Sequence, residues 1–216
     1  MKHALLPLPP ALPPCPRIGV TGGIGSGKSL VCRMLSALSG APVYDADTRA
    51  KALIESDAGV RRAVAALLGD EAYGPDGAYQ RAYVAERVFG NPALLQALNA
   101  IVHPAVEADS RQWHEAQCAA GAPYTLKEAA LLVESGAWRY LDLLIVVTAP
   151  EDLRLDRTIQ RDQTNAEAVR MRMRRQWPED ELLRHAHIQI ANDGKRLLGP
   201  QIWAAHRAIV GIRARA

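Results

Sequence analysis

Residues 22–29 read Gly22-Gly23-Ile24-Gly25-Ser26-Gly27-Lys28-Ser29 and match G-x-x-x-x-G-K-[ST] in full. The chemistry open to such a run is the grip of a nucleoside triphosphate. Glycines let the backbone curl until several N–H groups point at one phosphate. A helix that begins at the loop adds the partial positive charge of its N-terminus. In this pattern Lys28 reaches the β- and γ-phosphates, and the Ser29 hydroxyl is placed to hold Mg²⁺. The Leu30 amide, in the first helical turn, is a further donor. The rival explanation is a chance glycine-rich turn. A strand before the loop and a helix after it favour the phosphate reading.

A phosphate loop does not name the acceptor. A small-molecule kinase, a regulatory GTPase and an ATP-driven motor all use one. No N-K-x-D element for reading guanine occurs. The apolar run 143–147 ends in Thr148, without the carboxylate a motor places there. A kinase needs a base for the acceptor hydroxyl and mobile positive charge over the phosphates. Asp45 and Asp47 can supply the base: they close the second strand candidate, at the end where ligands sit in open α/β sheets. At strand spacing they share one face. Asp47 also precedes Thr48-Arg49-Ala50-Lys51 and reads equally well as a helix cap. Arg154, Arg157 and Arg161 fall on one helical face, as do Arg170 and Arg174. Asp152, Asp156, Asp162 and Glu167 alternate with them, so a solvated basic face is the competing explanation.

The elements that must position these groups are legible in outline. A strand is expected over 17–21 and a helix from the loop to a stop at Gly40, with Leu30, Val31, Met34, Leu35 and Leu38 on one face. A short strand is expected at 42–44. Residues 48–121 are helical in pattern, with breaks at 74–77, 90–92 and 103–104. Further strands are expected within 124–133, centred on 129–133, at 141–148 as a continuous apolar run, and at 188–191. Helices are expected over 154–175 and 197–212. Strands alternating with helices imply an α/β fold: a parallel sheet flanked by helices. The helical stretch reads as an insertion.

The chain has 216 residues, 49% hydrophobic and 23% charged, an ordinary globular composition. A net charge of +3 gives no argument for nucleic acid. No apolar run is long enough for a bilayer, so neither a nucleic-acid nor a membrane partner is expected. Residues 1–16 are proline-rich, unsuited to a secretory signal helix, and expected to form a disordered or extended tail. Cys15, Cys32 and Cys118 are odd in number and lack C-x-x-C spacing. They are expected to be apolar fillers in a reducing compartment, with no disulfide and no zinc site.

Taken together, the residues resemble the dephospho-coenzyme A kinase family. The resemblance runs from Ile18 to Asn192. It is carried by the phosphate loop, Tyr44-Asp-Ala-Asp47, Gly77 with Arg81, Val88-Phe89 and Leu98-Asn-Ala-Ile-Val-His-Pro104. It continues through Leu131-Leu-Val-Glu134, Thr148-Ala-Pro150, Arg157, Arg161-Asp162, Gln176 and Ile190-Ala-Asn192.

That resemblance implies an ATP- and Mg²⁺-dependent cytoplasmic kinase acting on the ribose 3′-hydroxyl of dephospho-coenzyme A. It implies a nucleotide core (17–47, 124–150, 184–216), a helical acceptor domain (48–123) and a lid (151–183). It selects Asp47 over Asp45 as the base. With Lys28, Arg157 and Arg161 this makes the catalytic set. ATP would be held by Gly23, Gly25, Ser26, Gly27, Lys28, Ser29, Leu30 and Asn192. The acceptor would be met by Arg81, His103 and Glu134. Mg²⁺ would sit on Ser29, with Asp45 or Asp47 able to join through water. Ala129-Ala130, Val133, Ala186-His187 and Leu30 depart from the common pattern and bear on acceptor and adenine packing. Alternatives are another phosphate-loop small-molecule or nucleotide kinase, or a non-kinase nucleotide-binding regulator.

Overall fold

The computed structural model describes residues 5–213. Strands β1 (Arg17–Thr21), β2 (Val43–Asp45), β3 (Thr125–Glu128), β4 (Leu143–Thr148) and β5 (Ile188–Ala191) form one sheet, ordered β2-β3-β1-β4-β5. β1 runs parallel to β3 and β4, and β4 parallel to β5. A parallel sheet is covered on both faces, so its strands read as unbroken apolar runs. β4 is the clearest case: all six residues are buried. The strands flanking β1 lie on opposite sides of it, which makes its carboxyl end the switch point where α/β sheets bind ligands.

The helices are α1 (Lys28–Ser39), α2 (Ala46–Ser56), α3 (Ala58–Leu68), α4 (Arg81–Val88), α5 (Pro92–Ala119), α6 (Glu151–Asp162), α7 (Ala166–Met173), α8 (Glu179–Leu183) and α9 (Leu198–Arg213). No described helix is long and apolar enough to cross a membrane. The chain divides into two units: Met1–Tyr44 with His114–Ala216, and Asp45–Trp113. The first unit's core joins Ile18, Val20, Val31, Leu35, Ile145 and Ile190 to Ile202, Ala205, Ile209 and Ile212 of α9. The second has its own core, where Val60, Val64 and Leu68, one face of α3, pack with Val84, Leu98 and Val102. The helical pattern expected over 48–121 is realised as α2 to α5, which run between Ala46 and Ala119.

Several expectations are corrected. Residues 1–16 were expected to form a disordered or extended tail; most of 5–16 is exposed, but Leu12 is in the core and the Leu6 N–H donates to Ala186 O at 2.8 Å, so the segment is anchored at those points. Met1–Ala4 lie outside the described residues. Cys15 and Cys118 form a disulfide across 103 positions of sequence, against the expectation of none. Cys32 is the buried apolar filler expected.

The strand expected at 129–133 is a run of turns, and β3 ends at Glu128. Lys127 obscured it: a lysine in a buried strand breaks the apolar run, yet it is buried, with its ammonium 6.0 Å from the Tyr44 ring centroid. Helix α5 continues through Pro104, where a break was expected. The helix expected over 154–175 is two helices, separated where Gln163 takes a positive φ. On α1 the core face is Val31, Cys32 and Leu35, while Leu30 and Leu38 are exposed.

Candidate active site

The phosphate loop leaves β1 and enters α1. Its N-cap, Gly27, has φ 96°, a left-handed conformation that an L side chain resists. Four of its glycines meet close neighbours as well. A Cβ on Gly22 would strike the Val147 carbonyl, on Gly23 the Arg154 guanidinium, on Gly25 the Arg154 carbonyl, and on Gly27 the Asn192 amide. The loop is thus moulded against the ends of β4 and β5 and the start of α6.

Polar bonds fix its shape. The Asn192 side-chain amide, buried at 8% exposure, donates to Ser26 O at 2.8 Å. The Asn192 N–H donates to Thr148 O at 2.8 Å. Arg157 donates to Asn192 O at 3.1 Å and to its Oδ1 at 3.4 Å. The Ile24 N–H donates to Gln176 Oε1 at 2.6 Å, and Gln176 Nε2 donates to Ala130 O at 3.0 Å. Lys28 folds back over the loop, donating to Gly22 O at 3.0 Å and Gly23 O at 3.3 Å. The hydroxyls of Thr21 and Ser26 are buried without a hydrogen-bond partner. Ser26, Asn192 and Arg157, three residues expected in the site, are brought into one network.

At the far end of the loop, the Ser29 hydroxyl donates to Glu128 Oε1 at 2.6 Å. Glu128 closes β3, the strand beside β1, and the sequence reading did not single it out. β4 ends in Thr148 without an acid; the acid stands at the end of β3, on the other side of β1. The signal was a lone glutamate after a strand that Lys127 hid. A hydroxyl and a carboxylate at one point are hard oxygen donors, the chemistry that Mg²⁺ prefers, so this donor set fits the ion.

A cavity of about 740 Å³ opens beside the loop, lined among others by Gly23, Arg154, Arg174, Trp177 and Glu179. Burial pushes the Glu179 carboxyl up, opposed by the Ala149 backbone and the Arg154 charge. Arg154 donates to Ala149 O at 3.1 Å. Arg161, expected over the phosphates, pairs here with Asp162 at 2.7 Å, and Arg172 joins the same carboxylate at 2.6 Å. The hydrogen bonds from Arg161 and Arg172 hold Asp162 well below the usual carboxylate range. Glu134 accepts from the Trp177 N–H at 3.0 Å, and its second oxygen is buried without a hydrogen-bond partner.

Asp45, Asp47, Arg81 and His103 belong to the second unit. Asp45 is the N-cap of α2: its carboxylate accepts from the Thr48 N–H at 3.0 Å and the Thr48 hydroxyl at 2.8 Å. The expected cap role of Asp47 therefore falls to Asp45. Asp47 stands in the first turn of α2, so the two do not share a strand face. Arg81 opens α4 and pairs with Glu55 at 3.0 Å. His103 lies within α5, and burial lowers its pKa.

The sequence matches the dephospho-CoA kinase (CoaE) family profile over residues 17–197. It is 43% identical over 182 residues to a dephospho-CoA kinase of Chlorobaculum tepidum, covering 82% of this chain and 86% of that one. It is 40% identical over 177 residues to a dephospho-CoA kinase of Salinibacter ruber, covering 82% and 88%. A crystal structure from Thermus thermophilus superposes with a TM-score of 0.74 at 32% identity, over 91% of this chain and 97% of that one. The phosphate loop, the sheet that carries it and these likenesses agree: the chain belongs to the dephospho-CoA kinase family.

Proposed function

We propose that this chain transfers the γ-phosphoryl group of ATP to the ribose 3′-hydroxyl of dephospho-coenzyme A, giving coenzyme A and ADP in the cytoplasm. The observation that carries the reading is the loop network: residues 22–29 pinned by Asn192 and Gln176 in a chain of this family. A loop already shaped for phosphate needs little reorganisation when charge develops, and that preorganisation is the larger part of phosphoryl-transfer catalysis.

In this reading the loop amides and the Leu30 N–H hold the β-phosphate. Lys28 leaves its carbonyl partners for the β- and γ-phosphates. Mg²⁺, held by Ser29 and Glu128 with Asp45 or Asp47 through water, would supply charge neutralisation between the phosphates. Asp47 orients the 3′-hydroxyl and takes its proton as the new O–P bond forms and the bond to ADP breaks. Arg157 and Arg161 cover the migrating group and exclude water; Arg161 must first leave Asp162. Arg81, His103 and Glu134 meet the acceptor. The segment 151–183 acts as lid.

The test is ADP release with dephospho-coenzyme A, against nucleoside monophosphates, shikimate and gluconate. Efficient turnover of dephospho-coenzyme A alone is expected. Equal or better turnover of a rival acceptor would overturn the named substrate and leave the kinase class standing.

A further inference from the structure

Three residues that phosphoryl transfer does not use come together around the N-terminal end of β1. Among the described residues, Cys15, His114 and Cys118 are the one group of His, Cys, Asp or Glu side chains with three ligand atoms within 4.8 Å of one another. All three are half-buried. Cys15 lies in a bend just before β1. His114 and Cys118 are one turn apart on α5, so they project from the same face.

The imidazole is already oriented. His114 Nδ1 is 2.8 Å from Thr125 Oγ1. With the Nδ1–H donating there, Nε2 carries the lone pair; Cys118 Sγ lies beside the ring, 3.5 Å from Nε2 and 3.6 Å from Nδ1. Metal-bound histidines are commonly fixed in this way by an oxygen on the other ring nitrogen. With a Zn–S bond of about 2.3 Å and a Zn–N bond of about 2.05 Å, a tetrahedral zinc places S and N about 3.6 Å apart. With the disulfide in place the sulfur lies beside the ring and not along the Nε2 lone pair, so Cys118 must turn toward Nε2 once its sulfur is released. What stands in the way is the Cys15–Cys118 disulfide, since a bonded pair of sulfurs does not offer thiolates.

We propose that Cys15, His114 and Cys118 are a redox-gated Zn²⁺ site: a disulfide when oxidised, and a metal centre with two sulfur ligands and one nitrogen when reduced. The exchange balances. Two thiols, or one dithiol, give up two electrons and two protons to the disulfide; they leave as a disulfide, and Cys15 and Cys118 become thiols. Zn²⁺ then forms two Zn–S bonds and one Zn–N bond and releases both thiol protons. Water takes the fourth position, because no further carboxylate, thiol or imidazole in the described chain joins the group. Two thiolates cancel the charge of the ion, and a mixed sulfur and nitrogen set favours zinc over magnesium or calcium. The segment before β1 is fastened to α5 in either state, by a covalent bond or through the ion.

The test uses Co²⁺ as a coloured stand-in for Zn²⁺ on the full-length chain. The protein is reduced, freed of reductant without air, and titrated; a thiol count of three on unfolding establishes that reduction was complete. A thiolate-to-cobalt charge-transfer band with tetrahedral d–d absorption should saturate at one Co²⁺ per chain and vanish on adding Zn²⁺. Oxidised protein should give no such band. Cys15→Ser and Cys118→Ser should abolish it and Cys32→Ser should leave it intact. Thr125→Ala should weaken cobalt binding by ~10–100-fold through loss of the imidazole's anchor. The wild-type result does not depend on how any variant folds. No thiolate band in the reduced wild type, a band in the oxidised wild type, or one that survives both Cys15→Ser and Cys118→Ser would overturn the proposal.

Discussion

Truncating Asn192 separates the shape of the phosphate loop from the charges it carries. The substitution Asn192→Ala removes the 2.8 Å bond to Ser26 O and leaves that carbonyl, beside a buried side chain, without its partner. It also removes the 3.4 Å contact with Arg157, which is too long to contribute much. The backbone bond from Asn192 to Thr148 and that from Arg157 to Asn192 O survive, so β5 keeps its register. An orphaned buried acceptor costs about 1–3 kcal/mol. A loop released from its anchor must be ordered again on binding, so the cost falls on nucleotide affinity. At 1.4 kcal/mol per decade, the ATP Kd should rise about 5- to 150-fold. Calorimetric titration with ATP, beside urea unfolding, reads both quantities. Asn192→Asp should lose more, because it sets a carboxylate oxygen against the Ser26 carbonyl near a triphosphate. ATP affinity within twofold of wild type in both variants would refute the idea that this amide shapes the loop.

Four further outcomes are expected. Lys28→Ala should nearly abolish transfer while circular dichroism and unfolding stay unchanged; normal turnover would remove residues 22–29 from the nucleotide site. Asp47→Asn should lower kcat by ~10²–10⁴-fold with little change in acceptor KM. Asp45→Asn, which keeps a competent helix cap, should cost far less, and the reverse order would exchange their roles. Glu128→Gln keeps an acceptor for Ser29 but loses the charge, so the Mg²⁺ concentration for half-maximal rate should rise ~10-fold or more; an unchanged Mg²⁺ dependence would limit Glu128 to a hydrogen bond. Arg157→Lys and Arg161→Lys should each lower kcat at least ~100-fold, and hydrogen exchange over 151–177 should slow with ATP and acceptor. Near-normal rates with unchanged exchange would leave those arginines as ion-pair partners only.

Legibility in the sequence followed how locally each feature is encoded. β4 announces itself because every residue of Leu143–Thr148 faces core. The loop is equally plain, since glycine, lysine and serine at fixed offsets serve one geometry. β3 hid because Lys127 is buried in a strand, where period and polarity rules expect an apolar residue. With β3 misplaced, Glu128 lost the strand-end position that would have drawn notice. Asp45 and Asp47 were equivalent by position because the chain changes from strand to helix between them, and only the Thr48 bonds assign the cap. Pro104 marks a break by rule, yet α5 continues past it, where α5 residues Leu98 and Val102 are held in the second unit's core. The Cys15–Cys118 pair spans 103 positions, and spacing says nothing about proximity at that range.

The moulding of the phosphate loop has a consequence for how the chain tolerates change. Gly22, Gly25 and Gly27 are each crowded by a different segment: the end of β4, the first turn of α6 and the residue after β5. No single compensating substitution elsewhere can make room for side chains at all three. The collisions arise within the protein itself, before any nucleotide is present. In a library of single variants scored twice, once for cellular abundance and once for growth on the enzyme's product, these glycines will fail both screens. Lys28, whose side chain bends back onto the Gly22 and Gly23 carbonyls, will fail the second alone. The comparison distinguishes residues that the architecture demands from those that the reaction demands.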